Sequence, residues 1–552
     1  AAGQDTLVIA PTGSGKTLAA FLWAIDKLAA GAAPARPVKP GVTVLYISPL
    51  KALAVDVERN LSAPLVGIGH AAAELGVPAP SVSVGVRSGD TPAAVRRTLV
   101  SNPPDILITT PESLYLMLTS AARETLRDVR TVIVDEIHAL APTKRGSHLA
   151  LSLERLDQLT ETPAQRIGLS ATVRPPDTVA QFLSGSPPAT VVQPPAQKTF
   201  DLRVDVPVAD MTNLPVPPRD SDLDDAFSPT AGSLWPFVEE AIVDQIEQNR
   251  STIVFANSRR LAERLTARLN QIAAERAGIE LDTGPNRQVP GGMPSTFNVG
   301  IVAAGAPPLL ARAHHGSVSK EQRAEIEDQL KSGLLRCVVA TSSLELGIDM
   351  GAVDLVIQVE TPPSVASGLQ RIGRAGHQVG EISKGIVFPK HRTDLLGATV
   401  ATARMLTGEI EHLRVPRNPL DILAQQTVAA TAVDDVDVND WFDVVRRAAP
   451  YRELTRDVYD GVLDLISGRY PSDEFAGLSA RVDYDRATGT LTARRGTLRI
   501  AVTSGGTIPD RGLFGVFLAA DSSLSSSGPL SSVEGRSLSS VEGWSSSRTP
   551  RF

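Results

Sequence analysis

Short apolar, β-branched runs recur along the first part of the chain, at residues 6–10, 42–48, 105–110, 131–135 and 166–170. Continuous apolar runs suit parallel strands buried on both faces, with crossover helices between them. After the first run, Leu18, Phe21, Leu22, Ile25 and Leu28 recur at helical spacing, which predicts a helix packed back on the sheet. A Pro-rich, acidic passage, residues 187–195 and then 220–229, reads as a linker. The rhythm restarts at 252–256, 336–341, 354–359 and 385–389, so a second α/β sheet is expected. It carries a Gly/Pro-rich insertion between Ala277 and Pro308, read as a surface loop. From Pro416 the pattern turns helical, at 422–428 and 441–447. After Leu478 it turns to strands, with 480–484 and 491–494 flanking a turn near Gly489 as a candidate hairpin.

Composition narrows the class. At 552 residues the chain is long enough for three to four domains of about 150 residues. With 42% hydrophobic and 21% charged residues, wholesale disorder is excluded. The single cysteine, Cys337, excludes a disulfide scaffold or a Cys-based zinc finger. It suits a reducing, cytoplasmic compartment, and its apolar neighbours make it a packing residue. No run reaches the roughly 18 apolar residues of a membrane helix. The balance of 54 Lys+Arg against 61 Asp+Glu, −7 in all, excludes a globally basic nucleic-acid coat but leaves room for a local basic channel.

The ends carry their own expectations. Ala1 rather than Met opens the chain almost directly into a strand, which reads as a start inside a longer protein. Residues 522–552 hold 13 serines and repeat LSSVEGRS as LSSVEGWS, a composition that buries no core. That tail reads as a truncation or reading-frame artefact.

Three motifs carry chemistry. Ala10-Pro-Thr-Gly-Ser-Gly-Lys16-Thr17 follows the first run and opens the first helix. It matches the phosphate loop, with Ala10 where the first Gly usually stands. Gly13 and Gly15 let backbone amides curl round a phosphate at a helix N-terminus. Lys16 suits the β- and γ-phosphates, and the Thr17 hydroxyl suits Mg²⁺. Thr12 and Ser14 complete the loop; a Gly-rich turn that merely caps a helix is the bland alternative. Asp135 and Glu136 end the fourth run, where ligands bind in parallel sheets. Asp135 suits the Mg²⁺ shell, and Glu136 can orient or deprotonate an attacking water. Arg371 and Arg374 in Gln370-Arg-Ile-Gly-Arg-Ala-Gly-His377 are three apart and would share a helix face. They suit a γ-phosphate approached across a cleft, against the alternative of a solvated basic face. His377 is read as orienting a neighbour rather than binding metal, and the adjacent His314 and His315 make a poor chelate.

Taken in order, these motifs resemble a superfamily 2 DExH helicase, most closely the large helicase-related (Lhr) family. The matching stretches are APTGSGKT, SPLKAL at 48–53, TTPESL at 109–114, DEIH at 135–138, SAT at 170–172, FANSRR at 255–260, HHGS at 314–317, ATSSLELGID at 340–349 and QRIGRAGH at 370–377. The resemblance covers about residues 1 to 515. It implies an α/β fold of two tandem RecA-like parallel-sheet domains, a winged-helix domain and the start of a β-rich domain. The expected boundaries are 1–193, a linker at 194–234, then 235–412, 413–476, 477–517 and the tail at 518–552.

The resemblance also assigns roles. Lys16, Thr17, Asp135, Glu136, Arg371 and Arg374 would form an ATPase site with ATP and Mg²⁺, bordered by Gly347 and Asp349. Ser170 and Thr172 would couple nucleotide state to lobe movement, or simply cap the next helix. Lys51, Thr110, Arg259 and Thr341 would line a nucleic-acid track. Ile508 would be a further contact, or a structural residue after a Gly-Gly turn. The family's adenine-reading segment would precede residue 1. The implied activity is ATP-driven 3′-to-5′ movement on single-stranded DNA, with unwinding of DNA or RNA:DNA duplexes in DNA repair. An RNA-directed DExH or DEAD-box helicase and a nucleotide-dependent clamp without unwinding are the alternatives.

Overall fold

Burial on both faces decides the first sheet. Strands β1 (Thr6–Ile9), β2 (Val44–Ile47), β3 (Val84–Arg87), β4 (Ile106–Thr109), β5 (Thr131–Val134), β6 (Gln165–Ser170) and β7 (Thr190–Val192) run in the order β3-β4-β2-β5-β6-β1-β7, every pairing parallel. In β2, β4 and β5 every residue is buried. Parallel neighbours need crossovers. The helices Lys16–Ala30 and Lys51–Glu74 supply two of them, packing Phe21, Ile25, Leu53 and Leu61 against Tyr46, Ile108 and Ile133. The Phe21 and Tyr46 rings stack with centroids 5.0 Å apart. The structure, a computed structural model, describes residues 3–11, 13–30, 41–185, 188–195, 198–214, 233–278, 309–345, 351–376, 380–469 and 479–507.

The second sheet comprises β8 (Phe200–Val204), β9 (Thr252–Phe255), β10 (Ala311–His314), β11 (Cys337–Ala340), β12 (Leu355–Val359) and β13 (Ser383–Phe388). Its order is β10-β11-β9-β12-β13-β8, again all parallel. Val238, Ile242, Leu265 and Leu269 cover one face, and Ile326, Val365, Ile372 and Met405 cover the other. Cys337 is fully buried in β11, a packing residue as expected. Two strands correct the linker reading. β7 falls inside residues 187–195 and pairs with β1. β8 falls inside 194–234 and pairs with β13. The Asp220–Pro229 stretch, most of the insertion before Pro308, and the Ser-rich tail lie outside the described residues.

Residues 441–454 belong with these two lobes in one unit. Arg166 on β6 donates to Glu154 (2.8 Å) and Asp157 (2.6 Å), and Arg447 approaches the other Glu154 oxygen at 3.4 Å. Arg452 donates to the Gly185 carbonyl at 2.6 Å.

The second unit comprises 420–440 and the residues from 455 onward. Helices Leu420–Thr431, Arg456–Ser467 and Thr497–Thr503 pack with a three-stranded antiparallel sheet, β14 (Val436–Asp437), β15 (Val482–Asp485) and β16 (Thr490–Ala493), ordered β14-β16-β15. The expected hairpin is therefore present, and it packs in the same unit as these helices. An isolated hairpin is marginal in water; here Val482 and Leu491 are fully buried in one unit with Tyr459 and Leu463. Arg499, also assigned to the β-rich domain, lies in the helix Thr497–Thr503, and Ile508 lies outside the described residues. Among the described residues no helix is long and apolar enough to cross a membrane.

Replacing Arg166 with Ala leaves Glu154 and Asp157 buried without their main cation. We expect it to lower unfolding free energy by about 3–5 kcal/mol, read from the chemical-denaturation midpoint of the full chain.

Candidate functional site

Register brings three strand ends together. Ile9 lies beside Ser170, and Val134 lies beside Gly168. The loop after β1, the acidic pair after β5 and Ser170 at the end of β6 therefore share one rim, the side of a parallel sheet where ligands bind. Gly13 (φ 81°) and Gly15 (φ 80°) are left-handed, a conformation open to glycine at no steric cost. Ser14 closes the loop by donating to the Pro11 carbonyl at 2.7 Å. Lys16 opens the helix Lys16–Ala30 and is buried. Its Nζ lies 3.4 Å from the Ala10 carbonyl and 3.9 Å from Glu136 Oε2. Thr17 follows, half-buried on the same first turn, while Thr12 lies outside the described residues.

Asp135 and Glu136 are both buried. The Tyr46 hydroxyl donates to Asp135 Oδ2, and the Glu136 amide donates to Asp135 Oδ1 at 2.8 Å. Burial, with the Glu136 charge adding, pushes the Asp135 carboxyl up to about 6. Burial also works against Glu136 ionising, but Lys16, then His138 and Arg374, outweigh it and hold that carboxyl below its usual range. Glu136 sits at φ 44°, left-handed for a non-glycine residue. Its Oε2 has no hydrogen-bond partner among the described residues.

His138 links the lobes. Burial lowers the pKa of its imidazole, against the raising effect of the Glu136 charge. Nδ1 accepts from the Ala171 amide (3.2 Å) and faces Ser170 Oγ at 3.4 Å. Nε2 lies 2.7 Å from the side-chain amide of Gln370, on the second lobe.

The two arginines separate. The helix Val365–Ile372 contains Arg371 and ends before Arg374, so they do not share a helix face as expected. Arg371 reaches Glu345 (3.1 Å), Asn257 (2.9 Å) and Gln358 (3.0 Å), with the Phe255 ring 5.3 Å beneath it. These partners all lie within the second lobe. Arg374 donates to the Glu345 carbonyl at 3.0 Å, and its charge is the one felt by Glu136. Gly347, Asp349 and His377 lie outside the described residues.

Beside this site a cavity of about 1390 Å³ opens between the lobes, with His138 and Gln370 on its wall. Lys51, Arg174, Arg259, Lys320, Arg323 and Thr341 also line it. Lys51 pairs with Asp90 at 2.6 Å, both half-exposed, and Arg259 donates to Ser317 Oγ at 2.9 Å. Thr172 reaches this wall too, on the far side of the Ser170–His138 contact. Thr110 does not. It is buried, and its hydroxyl caps the helix Pro111–Leu118 by accepting from Ser113. Its side chain is structural, a correction to the expected track.

Comparison with known proteins supplies the family. The DEAD/DEAH box helicase family matches residues 1–181, the helicase conserved C-terminal domain matches 306–378, and the winged helix domain of large helicase-related proteins matches 403–542. A Mycolicibacterium smegmatis protein described as Lhr helicase and probable uracil glycosylase is 69% identical over 94% of this chain. The chain belongs to the large helicase-related family. It spans 33% of that relative and 34% of an Escherichia coli Lhr helicase/uracil glycosylase, to which it is 56% identical over 94% of its own length. The solved structure of M. smegmatis helicase Lhr bound to ssDNA and AMP-PNP superposes with a TM-score of 0.78, at 65% identity, covering 94% of this chain and 60% of that one.

Several residues of this Lhr-family site escaped sequence reasoning. Tyr46 and Glu345 stand inside apolar or motif runs that advertise a strand or a loop, not a hydrogen-bond partner. His138 and Gln370 lie inside quoted motifs, but nothing in their spacing pairs them across 232 residues. Replacing Arg371 with Ala leaves Glu345, 15% exposed at its side chain, without its cation. We expect a loss of about 3–5 kcal/mol of second-lobe stability, visible as a lowered thermal midpoint, with binding of a fluorescent ATP analogue retained.

Proposed function

We propose that this chain is an ATP-driven nucleic-acid motor, hydrolysing ATP with Mg²⁺ between its lobes and moving along a single strand through the adjoining cavity. The observation that carries this reading is the burial of Glu136 beside Lys16 (3.9 Å) and His138 (3.5 Å) on the rim shared with the phosphate loop, with Gln370 of the second lobe 2.7 Å from the same histidine. The residues present fit Mg²⁺. Asp135 is a buried carboxylate at the end of β5, and Thr17 stands on the first turn of the helix that follows the phosphate loop. Among the described residues no cluster would hold a metal on protein ligands alone. That suits Mg²⁺, which keeps waters and substrate phosphates in its shell. Bound there, the ion would neutralise charge on the β- and γ-phosphate oxygens.

The protein's own groups do the rest. The amides of the 13–15 turn and the N-terminus of the helix Lys16–Ala30 bind phosphate oxygens. Lys16 neutralises the triphosphate, and on its approach releases Glu136, whose Oε2 is then open to a water. Glu136 orients that water and takes its proton. Arg374 adds charge from the second lobe only when the lobes meet, so turnover follows closure. A fixed arginine of this kind is worth about 10³–10⁵ in rate. In the cavity, Lys51, Arg259, Lys320 and Arg323 offer sequence-tolerant contacts to phosphates. The ssDNA and AMP-PNP in the M. smegmatis structure support both ligands. The 3′-to-5′ direction, the unwinding of DNA or RNA:DNA duplexes, the repair role and the cytoplasmic setting rest on the family resemblance.

Two variants test the reading. Glu136→Gln keeps ATP-analogue binding and lowers kcat at least 10²-fold, in the range of a lost general base; turnover within a few-fold of wild type refutes the role. Arg374→Ala loses about 10³-fold or more of strand-stimulated ATPase while binding single-stranded DNA as before, read by fluorescence anisotropy. Displacement of a 3′-tailed duplex by the wild-type chain separates a motor from a clamp, and stimulation by DNA against RNA separates the strand classes.

A further inference from the structure

The helix Val365–Ile372 carries Gln370 and leads directly into Arg374; one end is held by the segment that enters the second lobe and the other by the segment that leaves it. Lys198 lies just before β8, where the chain enters the second lobe. Its Nζ donates to the Gly373 carbonyl, at the C-terminal end of this helix, at 2.7 Å. Glu411 follows the helix Arg392–Thr407, where the chain leaves the second lobe. Its carboxylate accepts from the Val365 amide (2.6 Å) and the Ala366 amide (3.2 Å), at the N-terminal end. Ser364 Oγ takes the next amide, Ser367, at 3.0 Å.

The charges match the helix. An anion stands at the end where amides point out, and a cation at the end where carbonyls do. Both segments are also tied to chemistry outside the helix. Two residues beyond Glu411, the Leu413 amide donates to the Arg174 carbonyl at 2.6 Å, two residues past Thr172 on the first lobe. Partial burial and the neighbouring Arg374 push the Lys198 ammonium down to about 8.

We propose that Lys198 and Glu411 are positioning residues that clamp this helix by its two ends, so that movement of the entering and leaving segments on lobe closure is delivered to Gln370 and Arg374. The proposal rests on the ATPase reading above and adds to it a mechanical input. It predicts that either clamp side chain affects the turnover step and leaves nucleotide binding alone, because neither reaches the phosphate loop.

The test is steady-state ATPase of the full chain at saturating single-stranded DNA, with thermal midpoints measured alongside. Lys198→Met and Glu411→Ala are each expected to lower kcat about 10- to 100-fold, the cost of a small misplacement, with KM for ATP within about twofold. Lys198→Arg, which keeps the cation, is expected to restore most of the rate. The double variant is expected to fall little below the worse single one, because both act on one helix. Wild-type kcat in Lys198→Met, a rise in KM matching the loss, or Arg at 198 no better than Met overturns the clamp. Should Glu411→Ala fail to fold, the Lys198 pair decides alone. Absence of turnover in the wild-type chain sinks the ATPase reading itself, whereas normal turnover in wild type and clamp variants alike sinks only the clamp.

Discussion

Two adjacent carboxylates, Asp135 and Glu136, are buried at the end of one strand, and no fold tolerates that without nearby cations. Lys16 opens the helix after β1, and Arg374 follows the helix Val365–Ile372 of the second lobe. Two like charges side by side under burial drive one carboxyl up and leave the other to be held down by its neighbours. The electrostatics of a single strand end thus draw on both halves of the unit, Lys16 more than Arg374. An arrangement in which the second lobe swings away leaves Glu136 with less support, so the chemistry and the lobe spacing are bound together by charge.

His138 extends that dependence to the other side of the wall. It touches the acidic pair, the Ser170–Ala171 backbone and Gln370, and it also lines the cation-bordered cavity. It presents one ring nitrogen to its own lobe and the other to Gln370 on the second lobe. Small changes in lobe spacing are therefore felt at a short-range contact between side chains and not only through charge, which fades slowly with distance.

The strands that carry the site were legible because they are buried on both faces and so read as unbroken apolar runs, as in 44–47 and 131–134. Those that escaped are edge or polar strands. Thr190–Val192 and Phe200–Val204 sit at sheet edges with exposed residues, flanked by prolines or polar segments. Ala311–His314 is half polar. The wing hairpin was legible as strands, but its partner, Val436–Asp437, lies far back in the chain, and period-two patterning says nothing of pairing. In the site, the phosphate loop and acidic pair were readable because their chemistry is local. The Arg371–Arg374 pair misled because three-residue spacing implies a shared face only while the helix lasts, and it stops at Ile372. Thr110 misled because a cap and a ligand contact ask for the same residue type.

Glu136 stands at φ 44°, where an ordinary side chain is strained by about 1–3 kcal/mol. Glycine at that point would relax the backbone and remove a buried anion together. Under the proposed mechanism it would also remove the group that takes the water's proton, so stability and turnover make opposite demands on this position.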